Sequence, residues 1–217
     1  MARPTYIYLH GFASGPRSVK AVFFREKLET LGVPLLIPDL NQPDFSQLTL
    51  TRNIIAVSRL LPPFPQPAVL IGSSFGGLTA AWVAQHNSQI EQLVLLAPAF
   101  EFSQAWLPRL GEQLSQWQTQ GYLEVEHYAD GQRRPLNYHF VEDLQAYDES
   151  QLTRPVPTLI FHGEGDEVIP VSASQRYGQS RAWVELQVLR GDHSLTENCE
   201  DIWQTLLTKN IVTATQP

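Results

Sequence analysis

Between Ile71 and Leu78 the chain reads Gly72-Ser73-Ser74-Phe75-Gly76-Gly77, a G-x-S-x-G pattern that follows an apolar β-type run and precedes a helical one. In that context the turn from strand to helix is so tight that small residues must flank its middle one. The strain lifts the Ser74 hydroxyl above the sheet, at a helix N-terminus whose free N–H groups favour negative charge. Ser74 is therefore the candidate nucleophile, and the side chain of Ser73 is expected to point away from the crevice. The same glycines also admit a plainer use, as a turn for close strand–helix packing or as a phosphate cradle.

A serine is a weak nucleophile without a base, so a histidine must reach it and a carboxylate must orient that histidine. Where the nucleophile sits on a strand–helix elbow, the acid and then the base follow it in the chain. The sequence offers His162-Gly163-Glu164-Gly165-Asp166-Glu167-Val168 after one apolar run and Gly191-Asp192-His193-Ser194 after the next. Asp166 and His193 are the expected acid and base, at the carboxyl ends of strands where open α/β sheets bind ligands. Asp166 as a turn or cap residue and His193 as a polar loop residue are the plainer alternatives. Glu164 is the rival acid, Asp192 is a poorer one because a residue rarely folds back onto the next imidazole, and His162 is read as structural.

Acyl chemistry also needs donors for the oxyanion. His10-Gly11-Phe12-Ala13-Ser14-Gly15-Pro16 follows the first apolar run. The backbone N–H groups of Phe12 and of Phe75, the residue after the nucleophile, are the expected oxyanion hole. His10 precedes the nucleophile, the wrong place for the base, and is read as holding the loop. Arg17 and Lys20, beside Ser14 and Ser18 at the start of the first helix, could bind an anionic part of the substrate, although solvated helix-face charges are the plainer reading. No metal or cofactor is needed for such a reaction.

The elements that must position these groups alternate. Short apolar runs at Tyr6–Leu9, Leu35–Ile37, Ala68–Ile71, Leu93–Leu96, Thr158–Phe161 and Leu186–Leu189 read as strands of a sheet buried on both faces. Helical spacing over 17–31, 46–61, 76–86 and 194–209 lies between and after them, which implies right-handed crossovers. From Pro98 to Pro155 more than fifty residues separate two strands, well beyond an ordinary connection. This Gln- and aromatic-rich stretch is expected to form a partly helical cap-like insertion, with a long packed crossover as the alternative. Trp106, Trp117 and Tyr138 are expected to wall the crevice, unless they only glue the insertion to the core.

Bulk properties fit this picture. The 217 residues, 43% hydrophobic and 17% charged, suit one globular domain. A net charge of −7 argues against a nucleic-acid partner. With Cys199 as the only cysteine, no intrachain disulfide can form. No membrane span and no signal peptide is read, so a cytoplasmic protein, monomer or homodimer, is the expectation.

Taken together, these pieces resemble the α/β-hydrolase superfamily, and more closely the small bacterial YqiA-type esterases. The likeness rests on Tyr8-Leu9-His10-Gly11-Phe12, Ser14-Gly15-Pro16-Arg17-Ser18-Val19-Lys20-Ala21, the elbow, Gly165-Asp166-Glu167-Val168 and Gly191-Asp192-His193. It implies a six-stranded, mostly parallel sheet of order 2-1-3-4-5-6 with helices on both faces. It further implies a small-molecule ester or thioester substrate cleaved by Ser74, His193 and Asp166. A non-catalytic binding module is the competing class, and acyl transfer or C–C or amide hydrolysis would use the same three residues.

Overall fold

The computed structural model describes residues 3–213. Six parallel strands form the central sheet: β1 (Thr5–Leu9), β2 (Leu35–Leu36), β3 (Ala68–Ser73), β4 (Ile90–Leu96), then β7 (Thr158–Gly163) and β8 (Val184–Leu189). Their order is β2-β1-β3-β4-β7-β8. The expected order counted six strands; an antiparallel hairpin, β5 (Tyr122–His127) and β6 (Gln132–Asn137), intervenes and shifts the numbering of the last two. All six positions of β3 are buried because both faces of the sheet are covered. Ile7, Leu9, Leu70 and Leu95 pack on one side, and Tyr6, Tyr8, Val69 and Ile71 on the other.

The second side carries α1 (Val19–Thr30) and α8 (Cys199–Thr208), through Phe24, Leu28, Ile202 and Leu206. The first carries α2 (Leu50–Ser58) and α3 (Phe75–His86). Two helices are shorter than their spacing suggests. Asp44 closes a separate turn at Ser46, and Thr49 then caps α2 by accepting the Arg52 N–H at 3.0 Å. Asp192 accepts the N–H groups of Ser194 and Leu195, and Leu195 takes φ +50°, so α8 starts at Cys199 and not at Ser194. A further helix, α7 (Val171–Gln179), carries little apolar signal because small or polar residues, Ala173 and Ser174, face the interior with Tyr177.

Between β4 and β7 lie α4 (Phe102–Trp106), α5 (Glu112–Gln120), the hairpin and α6 (His139–Gln145). The hairpin was not foreseen, since Gln132-Arg133-Arg134-Pro135 shows no apolar alternation. Its turn is built by Asp130, which accepts the Gln132 N–H and pairs with Arg134 through both Nε and Nη2, while Gly131 takes φ +66°. Trp117 seals this region's interior, fully buried and donating Nε1–H to the Leu136 carbonyl at 2.8 Å. Among the described residues no helix is long and apolar enough to cross a membrane.

The stretch is tied back to the sheet by polar anchors. Arg154 donates to the carbonyls of Ala84, Ser88 and Ile90. Asp143 accepts the Thr51 N–H, and Glu149 accepts the Glu101 N–H at 2.8 Å. Burial pushes the Glu149 carboxyl up to about 7, and the nearby Glu101 carboxylate adds to this, against the Glu101 N–H and Arg181. The folded protein therefore holds this proton where the unfolded chain releases it. The resulting stability is present below the ordinary value of 4.5 and lost as pH rises through about 7. Glu149→Gln, which keeps an acceptor for the N–H, should flatten the dependence of the melting temperature on pH across that window and raise it above wild type on the alkaline side. A thermal denaturation series checks this.

Candidate active site

The elbow follows from the close approach of three backbone segments. A Cβ at Gly72 would lie 2.5 Å from the Gly76 carbonyl oxygen, and one at Gly76 would lie 2.2 Å from that of Leu9. Only glycine fits either position. Ser74, between β3 and α3, is forced to φ +53° and ψ −120°, a conformation an L-residue rarely adopts. It is pinned there: its N–H donates to Leu96 O at 2.9 Å, and its carbonyl accepts from Gly77, Leu78 and Ala99.

His193, on the loop after β8, places Nε2 2.9 Å from Ser74 Oγ and Nδ1 2.7 Å from Asp166 Oδ2. With a carboxylate facing Nδ1, that nitrogen carries the proton and Nε2 is free to accept from the serine hydroxyl. Asp166 leaves the end of β7 with its side chain fully buried. Oδ1 accepts the N–H groups of Val168 and Ile169, each at 2.8 Å. Burial would raise this carboxyl, but the His162 and His193 hydrogen bonds, the His193 charge and the Ile169 N–H together hold it well below the usual carboxylate range. The two loops meet because Gly163 has no side chain: a Cβ there would lie 2.4 Å from the Asp192 carbonyl oxygen.

The structure brings Ser74, His193 and Asp166 together and leaves the rivals outside. Glu164 is exposed and makes no bond to His193. Asp192 is occupied with the Ser194 hydroxyl and two N–H groups. His162 is buried against the acid itself. Its Nε2 lies 3.0 Å from Asp166 Oδ2 and 3.0 Å from the Ile169 carbonyl, so Nε2 bears the proton, and Nδ1 pairs with the Ser174 hydroxyl at 2.8 Å. Sequence reading saw only a structural histidine here; its position four residues before the acid was the available signal.

The loop after β1 lies directly over Ser74. A Cβ at Gly11 would come 3.3 Å from Ser74 Cβ and 3.9 Å from Oγ. The N–H groups of Phe12 and Phe75 have no acceptor among the described residues, and the two rings meet edge to face at 6.3 Å. His10 is buried and committed elsewhere: Nε2 accepts the Leu40 N–H at 2.9 Å, so Nδ1–H faces the Gly11 carbonyl at 2.9 Å.

A cavity of about 520 Å³ opens beside Ser74 and His193. Phe12, Phe102, Trp106, Leu110 and Leu123 form an apolar wall, and Tyr8, Ser18, Lys20, Ser73 and Ser194 a polar side. Of the three aromatics expected to wall the crevice, only Trp106 does so. Trp117 is sealed in the core on the inward side of α5, and Tyr138, just before α6, packs edge-on against it at 5.6 Å. Ser73 borders the cavity rather than pointing away from it. Arg17 and Lys20 are not brought together. The exposed Arg17 borders a neighbouring cleft of about 920 Å³ with His127, Asp130 and Arg134, while Lys20 turns inward to donate to the Ser194 carbonyl.

Comparison with known proteins agrees with this architecture. The uncharacterised protein family UPF0227 matches residues 5–209. Among solved structures, the chain is similar to Est1E from Butyrivibrio proteoclasticus with ferulic acid bound, at 26% identity and a TM-score of 0.76, over 97% of this chain and 91% of that one. It is also similar to a putative hydrolase from Agrobacterium vitis, at 25% identity and a TM-score of 0.80, over 95% and 87% of the two chains. The mouse alpha/beta hydrolase domain-containing protein 10 shares the fold at 21% identity and a TM-score of 0.76, over 97% and 90%. The fold is that of the α/β-hydrolases.

Proposed function

The chain belongs to the UPF0227 family, and we propose that it is a serine hydrolase that cleaves a carboxylic ester or thioester. The observation that carries this reading is the continuous path from Asp166 through His193 to Ser74, with heavy-atom separations of 2.7 and 2.9 Å. The similarity to Est1E, an esterase by name, supports an ester substrate. In this reading Ser74 Oγ attacks the carbonyl carbon while His193 Nε2 takes its proton. Asp166 holds the ring and stabilises the imidazolium. The Phe12 and Phe75 N–H groups receive the oxyanion, and collapse of the tetrahedral adduct expels the alcohol or thiol with the proton from Nε2. Water, deprotonated by His193, then attacks the acyl-serine and regenerates Ser74. The cap role follows from the same geometry: Phe102 and Trp106, stacked at 5.2 Å, bring the 98–155 insertion against the apolar side of the cavity. A flat aromatic acyl group such as that of ferulic acid, which Est1E binds, suits this wall.

A fluorophosphonate probe should label wild-type protein on Ser74 alone, and Ser74→Ala should lower nitrophenyl ester hydrolysis by roughly 10⁴-fold or more with an unchanged circular dichroism spectrum. Labelling of another residue, or turnover retained in Ser74→Ala, would refute the assignment. Fold without labelling or turnover would point instead to a binding module. His162 is a positioning residue in this scheme, holding Asp166 from behind. His162→Phe, which keeps a planar ring but has no donor for Asp166, should lower kcat about tenfold, the scale of one charge-assisted hydrogen bond. Because Asp166 Oδ2 then keeps more charge for the imidazolium, the acid limb of the kcat/KM profile should move to higher pH. A merely structural role would lower the melting temperature and leave that limb in place. Trp106→Ala should change the acyl chain-length preference among nitrophenyl esters; uniform loss at every length would count against a wall role.

A further inference from the structure

The polar side of the cavity holds groups whose bonding the fold leaves incomplete. Tyr8 is fully buried, its ring stacked on Phe24, and its hydroxyl has no hydrogen-bond partner. A buried hydroxyl left unpaired costs about 1–3 kcal/mol. Burial pushes the phenol's ionisation up, against the pull of the Ser73 and Ser18 side chains beside it. Ser18 stands at the N-terminus of α1 without capping it through its side chain. Beside them is Lys20, whose ammonium donates to the Ser194 carbonyl and forms no ion pair among the described residues. Burial pushes its pKa down, against Cys199, Asp192 and Asp166, which act from beyond pairing distance. A partly buried cation without a counter-ion is unusual, since buried charges are ordinarily paired. All four residues border the cavity that contains Ser74 and His193.

We propose that Tyr8, Ser18, Ser73 and Lys20 form a subsite for a carboxylate carried by the substrate, on the side of the scissile carbonyl opposite the apolar wall. The proposal rests on the serine hydrolase reading and adds a substrate class: a half-ester or half-thioester, apolar at one end and carboxylated at the other. Tyr8 Oη–H, the serine hydroxyls and the remaining ammonium protons are donors, which matches the acceptor-only chemistry of a carboxylate. A single charge fits better than a phosphate dianion. Among the described residues Lys20 is the only lysine or arginine that borders the cavity, and Glu124 and Glu126, exposed on β5, border it too. Arg17 takes no part, because it faces the neighbouring cleft.

The test compares ester pairs that differ only in this charge, on each side of the carbonyl. Nitrophenyl hemiglutarate is set against nitrophenyl valerate, and the butyrate ester of hydroxybenzoate against phenyl butyrate. In one pair the wild-type protein should favour the charged member through a KM lower by about tenfold, the scale of one charge-assisted hydrogen bond. Tyr8→Phe and Lys20→Met should each bring that ratio close to one. Tyr8→Phe removes a single oxygen and so keeps the comparison valid if Lys20→Met folds poorly. To separate this from the chemistry, the tryptophan fluorescence of Ser74→Ala protein, with Trp106 in the cavity wall, is titrated with monomethyl glutarate, dimethyl glutarate and inorganic phosphate. Tighter binding of monomethyl glutarate, weakened by adding Tyr8→Phe, supports the subsite even if no ester is turned over. Equal KM values in both pairs, a preference that survives Tyr8→Phe, or a preference for phosphate over the carboxylate would overturn it.

Discussion

Everything at this site depends on how closely the start of α3 is pressed against β1. The absent side chains of Gly72 and Gly76 allow the helix to begin within van der Waals reach of the Leu9 carbonyl, and the residue between them has no relaxed conformation available. Ser74 is held in that geometry by hydrogen bonds to β4 and to its own helix. The strain is sustained because β3 is buried at every position, flanked by β1 and β4 and covered on both faces. The same approach sets the loop after β1 over the serine, since the order of the sheet reverses at β1 and β3 and their carboxyl ends open side by side.

The contact between Asp166 and His193 depends on a second approach of the same kind. Gly163 lets the β8 loop lie across the end of β7, and this brings His193 onto Asp166. Four donors then converge on one buried carboxylate: two backbone N–H groups, His193 and His162. Such saturation favours the ionised form and fixes the carboxylate plane, so the imidazole it faces has one orientation and one tautomer. Ser174, at the far side of His162, extends this support into α7. The site is thus backed by regular elements, although its side chains stand on loops.

The long stretch between β4 and β7 is only partly a wall. Trp117 and Tyr138 spend their surface inside the main core, while Phe102 and Trp106 face the cavity and join the ring cluster around Phe12 and Phe140. Polar side chains of the sheet and the start of α1, among them Tyr8, Ser18, Lys20 and Ser73, border the same space. A cavity lined by both apolar and polar side chains could order a substrate by its ends, which an apolar pocket alone would not do.

Much of this was legible in the chain itself. The six sheet strands could be read because burial on both faces demands continuous apolar runs, and the elbow because its steric demand admits only glycine at fixed offsets. The order of Ser74, Asp166 and His193 along the chain pointed to the residues that the structure places in contact. The hairpin was hidden because its second strand, Gln132-Arg133-Arg134-Pro135, shows no apolar alternation, and α7 because its inward Ala173 and Ser174 are small or polar. The early start expected for α8 failed because Asp192 captures the N–H groups that would have begun the helix. Which aromatics face the cavity, how Arg17 and Lys20 part, that Ser73 and Tyr8 border the site, and that His162 backs the acid were decided by tertiary structure alone. A sequence lists which groups are available and how far apart they lie along the chain. The direction each side chain takes is set by the neighbours it packs against, and those come from segments tens to hundreds of residues away.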